Sequence, residues 1–337
     1  MTNSFKMTED GLLALVELFK DKNSFLLLSH ENPDGDALGS VLALGRGLKS
    51  RGKSVAMFSS SGVPSLYSFL PGSDEVTDRI GSVDEFDAAV LLDCHELRRA
   101  GERAIEAASI PILVVLDHHE VWGQVHGDII VIDPGVSAVG ELVYRLLVAM
   151  KINIDPQMAF NLFTAISTDT GSFNYGNTTA ESLETAGQLV RLGADPVCIY
   201  RELEMNSPPE RLNLLSRALA ELEFYHQGRV GGMTLSREMM SASGATEEAT
   251  DDLVNYPRSV RGVELAFLLT EGTQGTCHVS LRSRGRMDAA HLAASFGGGG
   301  HHDAAGFTKK GSVEEIKELI LDAAWKLLPV DEVRECP

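Results

Sequence analysis

Short apolar runs separated by helical patterns dominate the first half of the chain. Each run is apolar at consecutive positions, as in strands that are buried on both faces of a parallel sheet. The segments between the runs have helical periodicity, which gives the βαβ order of a doubly wound α/β domain. We therefore predict an N-terminal α/β domain with a mainly parallel sheet. The predicted strands cover residues 25–29, 55–58, 88–93, 112–117 and 129–133.

The pattern changes at two proline-containing breaks, the first at Ala194-Asp195-Pro196 and the second at Ser207-Pro208-Pro209. Beyond them, strand and helix patterns predict a smaller α+β domain. We predict strands over 229–235, 263–269 and 276–282, and helices over 210–225, 289–296 and 313–328. The predicted organisation is a first domain at 1–195, a linker at 196–212 and a second domain at 213–330.

Charge and cysteine content exclude several classes of protein. The 337 residues carry a formal net charge of −19, which argues against general binding of long duplex DNA. The charge does not exclude anionic substrates, because bound metal ions invert the local field. The four cysteines form no CxxC pair, which indicates a reducing compartment. No apolar stretch reaches the ~18 residues of a membrane span. We expect a soluble, cytoplasmic protein.

Acidic and histidine residues follow three of the predicted strands and one predicted helix. The carboxyl ends of parallel strands meet at one edge of a sheet, where open α/β folds bind their ligands. Taken singly, each segment is as well explained by a turn or a helix N-cap. If every segment were only a turn or an N-cap, four polar segments would have to follow the predicted elements by chance. We therefore favour one site that the segments share. Its candidate residues are His30, Asp34, Asp36, Asp93, Asp117, His118, His119 and Asp169.

These motifs resemble those of the DHH phosphoesterase family. HENPDGDALGS at 30–40, the aspartate at 93, DHH at 117–119 and the Asp169 segment occur in the family's order. The sequence FGGGGHHDAAGF at 296–307 is similar to the glycine-rich signature of the partner domain, DHHA1. The resemblance extends over residues 10–328. It implies a catalytic domain that holds metals and a second domain that binds substrate phosphates across an interdomain cleft.

The resemblance also implies a ligand set for two metal ions. Four carboxylates and two imidazoles give a ligand charge of −4, which two divalent cations would neutralise. The set contains no thiolate, which favours hard or borderline ions. We predict Mn²⁺, with Mg²⁺ or Co²⁺ as alternatives; two such ions would activate water and stabilise the phosphoryl oxygens. By resemblance, one ion would be held by His30 and Asp34, the other by Asp36, His118 and Asp169, and both by Asp93.

Two neighbouring residues are predicted to act in catalysis. Asp117 would orient a metal-bound histidine, a common supporting arrangement. His119 would contact the scissile phosphate or protonate the leaving oxygen. The alternative for His119 is a hydrogen bond to the backbone.

The C-terminal half contains the predicted substrate-binding residues. Backbone N–H groups of consecutive glycines approach an anion closely, because no side chains intervene. The segment 258–286 contains five arginines and two acidic residues, a local balance of +3. We predict that Arg286 lies on a solvated strand edge. The predicted substrate-binding residues are Arg258, Arg261, Arg282, Gly298, Gly299, Gly300 and His301.

The loop after Asp169 departs from the related enzymes. Those enzymes often have an arginine after the aromatic residue, whereas this chain has Asn174. A phosphate contact from this loop is therefore in doubt. Phe173 or Tyr175 would stack on a base, with packing in the core as the alternative for Phe173.

The implied activity is the hydrolysis of very short oligoribonucleotides to mononucleotides. Removal of the 3′-phosphate from phosphoadenosine phosphate (pAp) is a second activity, and the alternative substrates are cyclic di-AMP and its linear product pApA. An inorganic pyrophosphatase fits the glycine-rich signature less well. A non-catalytic nucleotide-binding regulator is the alternative of another class, although the complete ligand set argues against it. A long-substrate exonuclease would need an additional basic domain. The sequence leaves the oligomeric state open, with a homodimer among the options.

Overall fold

The computed structural model describes residues 9–121, 124–250, 252–300 and 302–328. Between Asn206 and Ser207 the chain divides into two compact units. Helices occupy most of 196–212, and the linker assigned to that range stays a prediction. Of the helices in the described ranges, none is long and apolar enough to cross a membrane.

The first unit is built on a parallel sheet. Its strands, within the described residues, are β1 (Ser24–Leu28), β2 (Ser54–Phe58), β3 (Val76–Thr77), β4 (Ala88–Leu92), β5 (Leu113–Asp117) and β6 (Ile129–Ile132). They pair in the order β3-β2-β1-β4-β5-β6, and every pairing is parallel. All five residues of β4 are buried, as the continuous apolar run predicts. The prediction of a doubly wound, mainly parallel sheet is confirmed.

Helices cover the sheet and begin at residues that cap them. Asp155 accepts hydrogen bonds from the N–H groups of Gln157 and Met158, and Pro156 occupies the first helical position, where its missing N–H costs nothing. The helices described in this unit are α1 (Glu9–Asp21), α2 (Gly35–Ser50), α3 (Val139–Ala149), α4 (Pro156–Asp169), α5 (Ala180–Arg191) and α6 (Pro196–Glu204).

The helices α2 and α4 pack against each other at very short range. A Cβ atom on Gly39 would lie 2.4 Å from the carbonyl oxygen of Asn161, and one on Gly35 would lie 2.5 Å from the side chain of Thr168. These distances are shorter than van der Waals contact, so only glycine fits at the two positions. The spacing between the helices is therefore set by their backbones.

The second unit contains a mixed sheet. Its strands, again counting only the described residues, are β7 (Glu223–Tyr225), β8 (Val230–Leu235), β9 (Leu265–Glu271), β10 (Thr276–Ser283), β11 (Gly299–Gly300) and β12 (Ala304–Lys310). They pair in the order β11-β12-β10-β9-β8-β7, with β8 and β9 parallel and the other pairs antiparallel. The smaller α+β domain predicted from the sequence is confirmed.

Helices and apolar clusters lie on both faces of the second sheet. One cluster joins buried residues of β9 and β10 to the last two helices, and another joins β8 and β9 to the earlier ones. The helices described here are α7 (Pro209–Ala220), α8 (Arg237–Ser243), α9 (Asn255–Ser259), α10 (Ala289–Ala294) and α11 (Val313–Leu327).

The prediction of a helix over 210–225 is wrong at its end. The helix stops at Ala220, and Glu223–Tyr225 form β7 instead. A turn in which Gln227 has a φ of 62° brings β7 back against β8. Pairing with a neighbouring strand therefore outweighs the local helical pattern.

Candidate metal centre

Three neighbouring strands bring polar side chains to one edge of the first sheet. Ser29 follows β1, Asp93 follows β4 and Asp117 is the last residue of β5, and the three strands are adjacent in the order β1-β4-β5. Because all three are parallel, their carboxyl ends lie side by side. Within the described residues, potential ligand atoms gather there in three clusters, each with its atoms within 4.8 Å of one another.

The first cluster contains His30, Asp34 and Asp93. The Nε2 atom of His30 lies 3.4 Å from Asp93 Oδ2 and 4.0 Å from Asp34 Oδ1. Asp34 is also the N-cap of α2, where its Oδ1 accepts a hydrogen bond of 3.0 Å from the N–H of Ala37. The start of the helix therefore fixes this carboxylate beside the strand ends.

The second cluster contains Asp36, His118 and Asp169. His118 Nε2 lies 3.4 Å from Asp169 Oδ2 and 3.9 Å from Asp36 Oδ2. The buried carboxylate of Asp36 accepts hydrogen bonds of 2.6 and 2.9 Å from the N–H groups of Val139 and Gly140, in the first turn of α3. The helix N-terminus favours negative charge at this position.

Asp93 lies between these two clusters. One carboxylate oxygen faces His30, and the other, Oδ1, lies 3.5 Å from His118 Nε2. The residue is buried and has a φ of 56°, in the left-handed region that few residues other than glycine, asparagine and aspartate occupy. Its Oδ1 is buried and accepts no hydrogen bond from the described residues. A strained, buried carboxylate with an unpaired oxygen is costly unless it has a further partner.

The electrostatics of the site favour a bound cation. Burial and the nearby negative charge of Asp169 raise the pKa of Asp36 from 3.8 to about 8. Burial and the charge of Asp36 raise the pKa of Asp93 well above its usual range, and burial and Asp34 do the same for Asp169. Two dications would relieve this repulsion and give Asp93 Oδ1 a partner. The donor set therefore fits hard or borderline divalent ions.

A third cluster joins Asp93, His118 and His119. His119 Nδ1 lies 3.5 Å from Asp93 Oδ1, but only 2.7 Å from Asp117 Oδ1. The closer partner is therefore Asp117, which also accepts hydrogen bonds from the backbone N–H groups of His118 and His119. The structure brings both predicted catalytic residues next to the two ligand clusters.

His95 is a residue of this site that the sequence analysis missed. Its Nδ1 lies 2.6 Å from Asp117 Oδ2, so the carboxylate of Asp117 lies between two imidazoles. Burial raises the pKa of Asp117, but the hydrogen bonds from His119 and His95 outweigh it and hold the pKa well below its usual range. A signal was present in the sequence, because His95 follows a strand end in the same way as the predicted ligands.

The loop after Asp169 turns sharply through left-handed backbone. Gly171, Ser172 and Phe173 have φ values of 54°, 55° and 65°. Asn174 donates hydrogen bonds from Nδ2 to the carbonyl oxygens of Gly171 and Ser172, and Phe173 packs edge-on against Phe163. In this structure Asn174 stabilises the turn itself, and Phe173 contacts the core. The stacking of a base on Phe173 or Tyr175 stays a prediction.

The predicted arginines lie in the second unit. Arg282 pairs with Ala266 of β9. Ala266 belongs to an apolar cluster that also contains residues next to α9 in the sequence. Arg258 lies on α9 itself. Cross-strand partners share a face of the sheet, so Arg282 lies on the face against which α9 packs. Arg261 is exposed two residues after α9.

The placement of Arg286 corrects one expectation. We predicted a solvated strand edge, whereas Arg286 follows β10 and lies 3.4 Å from the buried carboxylate of Glu264. Arg229 lies 2.9 Å from the same carboxylate oxygen. Arg286 is therefore part of an ion-pair group with a buried partner.

The glycine run forms an edge of the second sheet. Gly299 and Gly300 pair with Gly306 and Ala305 of β12. A Cβ on Gly298 would lie 2.1 Å from the carbonyl oxygen of Gly306, whereas one on Gly299 would meet nothing within 4 Å. Close strand pairing therefore requires Gly298, and Gly299 leaves open space beside the backbone.

The run ends near Arg282. Gly300 and Arg282 pair with the consecutive residues Ala305 and Ala304, so both lie at the same end of β12. The predicted contact of His301 lies outside the described residues.

Comparisons with known proteins agree with this arrangement. Residues 24–166 match the model of the DHH family, N-terminal domain, and residues 234–328 match that of the DHHA1 domain. The bifunctional oligoribonuclease and PAP phosphatase NrnA of Thermus thermophilus is 32% identical, over 88% of this chain and 88% of its own length.

Two further relatives extend the comparison. The crystal structure of an exopolyphosphatase-related protein from Bacteroides fragilis has a TM-score of 0.89 and 28% identity, and the match covers 97% of this chain and 98% of that one. A cyclic-di-AMP phosphodiesterase of Listeria monocytogenes is 25% identical over 93% of this chain and 49% of its own length.

Proposed function

The chain belongs to the DHH family and carries a DHHA1 domain, and from this we propose that it is a two-metal phosphoesterase that hydrolyses very short oligoribonucleotides to mononucleotides. One observation carries the proposal. Two clusters of carboxylate and imidazole groups lie on either side of Asp93, whose buried Oδ1 lacks a hydrogen bond from the described residues. This arrangement supports a pair of cations with a shared ligand.

We assign the two ions to the two clusters. His30 and Asp34 would hold one ion, Asp93 would be common to both, and the other ion would be held by the cluster of Asp36, His118 and Asp169. When bound, the ions supply water activation and neutralise charge on the phosphoryl oxygens. Mn²⁺ is the ion that we propose, with Mg²⁺ and Co²⁺ as the alternatives to test.

The residues beside the clusters act on the substrate. Asp117 holds the His119 ring by its Nδ1 atom, and we propose that Nε2 contacts the substrate. We assign to His119 either a contact with the scissile phosphate or the donation of a proton to the leaving oxygen. Asp117 acts through His119, because both of its carboxylate oxygens already have hydrogen-bond partners.

The second unit binds the phosphates that are not cleaved. Arg282 and Arg258 would each offer a planar guanidinium that matches a phosphate. The open backbone at Gly299 would add N–H groups, and we keep Arg261 and His301 as further contacts. Arg282, Arg258 and Gly299 lie on one sheet and on the helix that packs against it, which supports a common anion-binding surface.

The substrate class follows from the relatives and from the charge of the chain. The Thermus thermophilus relative is named for short RNA and pAp. A formal charge of −19 repels additional phosphates outside the binding residues within a screening length of ~8 Å. We therefore propose that the enzyme acts in the cytoplasm on RNA of about two to five nucleotides and on pAp, and that it uses neither long duplex DNA nor a membrane. A homodimer is the oligomeric state to test.

A second candidate is hydrolysis of cyclic di-AMP or pApA. The Listeria monocytogenes relative favours it, because that protein is named for cyclic di-AMP and matches 93% of this chain.

A substrate panel tests the proposal. Metal-loaded protein is incubated with pAp, pApA, cyclic di-AMP, pyrophosphate and labelled RNA of 2 to 24 nucleotides at a fixed concentration of ends. We expect the highest rates for RNA of about two to five nucleotides, because longer chains gain no further charge-assisted contacts. A flat or rising rate up to 24 nucleotides would indicate a processive exonuclease. Binding of these nucleotides without hydrolysis would indicate a regulator.

A further inference from the structure

Asp117 is held from two sides by histidines. It is the last residue of β5, and its side chain is 0% exposed. Oδ1 accepts from His119 Nδ1 at 2.7 Å, and Oδ2 lies 2.6 Å from His95 Nδ1. Because a buried carboxylate that loses a donor pays the full desolvation penalty of that oxygen, both contacts matter to its orientation. Oδ1 also accepts hydrogen bonds from the backbone N–H groups of His118 and His119, whereas Oδ2 has His95 as its partner. His95 therefore fixes the second oxygen and with it the plane of the carboxylate.

His95 reaches Asp117 because of the turn at Asp93. The strands β4 and β5 are adjacent, and the N–H of Asp93 donates to the carbonyl oxygen of Leu116. Asp93 then has left-handed backbone, and the chain turns so that the side chain two residues later meets the end of β5. His95 thus connects the ends of two strands that carry site residues.

The ring of His95 lies outside the proposed ligand set. In the described residues, the clusters of potential metal ligands include His30, His118 and His119, and they do not include His95. Its side chain is 13% exposed, against 19% for His119. The contact of His95 with the site is therefore its hydrogen bond to Asp117.

We propose that His95 is a positioning residue, which holds the carboxylate of Asp117 in the orientation that fixes the ring of His119 beside Asp93. Nδ1 of His119 is bound to Asp117, so the plane of the carboxylate sets the direction of the ring. A group that is held in this way loses less entropy in the transition state. This inference rests on the proposed function and adds a residue to it.

The test compares two substitutions of the same residue. His95→Ala removes the donor to Asp117 Oδ2, and we expect kcat to fall by about 10- to 100-fold, as for other residues that support a metal-site ligand. His95→Asn keeps an N–H donor near the position of Nδ1, and we expect kcat to stay within about threefold of the wild type. KM and the content of bound Mn²⁺ should change little in either variant. His126→Asn is the matched control, because His126 is an exposed histidine of the same unit.

Three results would overturn the inference. The first is a kcat of His95→Ala within about twofold of the control, and the second is an equal loss of kcat in His95→Ala and His95→Asn. The third is a loss of Mn²⁺ from His95→Ala with normal kcat per metal-loaded enzyme, which would make His95 a residue that holds metal. Thermal unfolding of each variant sets the assay temperature well below its midpoint.

A spectroscopic readout makes the test independent of turnover. In Mg²⁺-loaded protein labelled with ¹⁵N-histidine, the hydrogen-bonded Nδ1–H of His119 is assigned by its absence in His119→Asn. We expect this signal to persist in His95→Asn and to shift or broaden in His95→Ala. An unchanged signal in His95→Ala contradicts the inference. If the wild type hydrolyses nothing in the substrate panel, the proposed function fails, while this measurement still decides the role of His95.

Discussion

Two sites, one in each unit, treat buried carboxylates in opposite ways. In the second unit, Glu264 is buried beside the guanidinium groups of Arg229 and Arg286. In the first unit, Asp36 and Asp93 are equally buried, and their ion pairs among the described residues are with histidines. Burial raises the pKa values of both, and the charges of neighbouring aspartates raise them further. A buried acidic group that the chain itself leaves uncompensated marks the place for an external cation.

Removal of metal should have the largest effect on activity, and it should affect the first unit while leaving the second unit unchanged. We expect exhaustive EDTA treatment to abolish hydrolysis, and Mn²⁺ to restore it better than Zn²⁺, because the ligand set lacks thiolates. The second unit should keep its fold, which near-ultraviolet circular dichroism monitors in a Trp122→Phe variant, because Trp325 is then the one tryptophan in the sequence. Activity that survives chelation would contradict the two-metal assignment.

Substitution of the shared ligand, Asp93, should have the second-largest effect on activity. Asp93→Asn keeps a residue that tolerates left-handed backbone but removes the charge. We expect kcat to fall by about a thousandfold or more, equivalent to about 4 kcal/mol of transition-state stabilisation. Asp133→Asn is the matched control, because Asp133 is also buried and follows a strand of the same sheet. Similar losses in both variants would assign the effect to folding.

The uncompensated carboxylates predict an unusual pH dependence of stability. The pKa of Asp36 rises from 3.8 to about 8 on folding, so the folded metal-free protein binds this proton more tightly than the unfolded chain. Stability is then greatest below pH 3.8 with respect to this group, and it falls as the pH rises to about 8. Thermal melts between pH 5 and pH 8 should show a falling midpoint without metal and no such fall with saturating Mg²⁺. An increasing midpoint in EDTA would contradict the raised pKa.

An arginine of the second unit should affect binding more than turnover. We expect Arg282→Ala to raise KM by about tenfold and to change kcat by less than about threefold, because a contact away from the scissile bond contributes uniform binding. Arg217→Ala on α7 of the same unit is the control. A fall in kcat as large as that of Asp93→Asn would remove the functional difference between the units.

Substitutions in the glycine run should have the smallest effect on activity, and two neighbouring glycines can be compared directly. Gly298→Ala should destabilise the second unit by about 1–3 kcal/mol, since its Cβ would overlap the backbone of β12. Gly299→Ala meets open space, and we expect unchanged stability with a modest increase in KM. Urea unfolding and initial rates distinguish the two. If Gly299→Ala leaves KM unchanged, the run serves strand pairing and not phosphate binding.

The sequence predicted those parts of the molecule that depend on local patterns. The strands β1, β4 and β5 were predicted within a residue or two, because continuous apolar runs of this length have few other solutions. Since their ends must meet at one edge, the gathering of the acidic and histidine residues followed from the strands alone. The prediction of a parallel sheet, which rests on the same apolar runs, is confirmed.

Two features were missed, for different reasons. His95 is 22 residues from Asp117, and their contact requires both the pairing of β4 with β5 and the left-handed turn at Asp93. The strand β7 forms because β8 lies beside it, against a local helical pattern. The neighbour of β7 is close in the sequence, and the helical pattern before it hid the strand, whereas the neighbour of His95 lies outside a local window.

The glycine contacts between α2 and α4 have a consequence for redesign. Asp36 lies in the first turn of α2 and Asp169 ends α4, so the separation of these two carboxylates follows the separation of the helices. An engineer who exchanges ligands leaves that separation unchanged. A larger side chain at Gly39 would overlap the carbonyl oxygen of Asn161 and so change that separation. On the proposed ligand assignment, the distance between two ligands therefore depends on a position that is not itself a ligand.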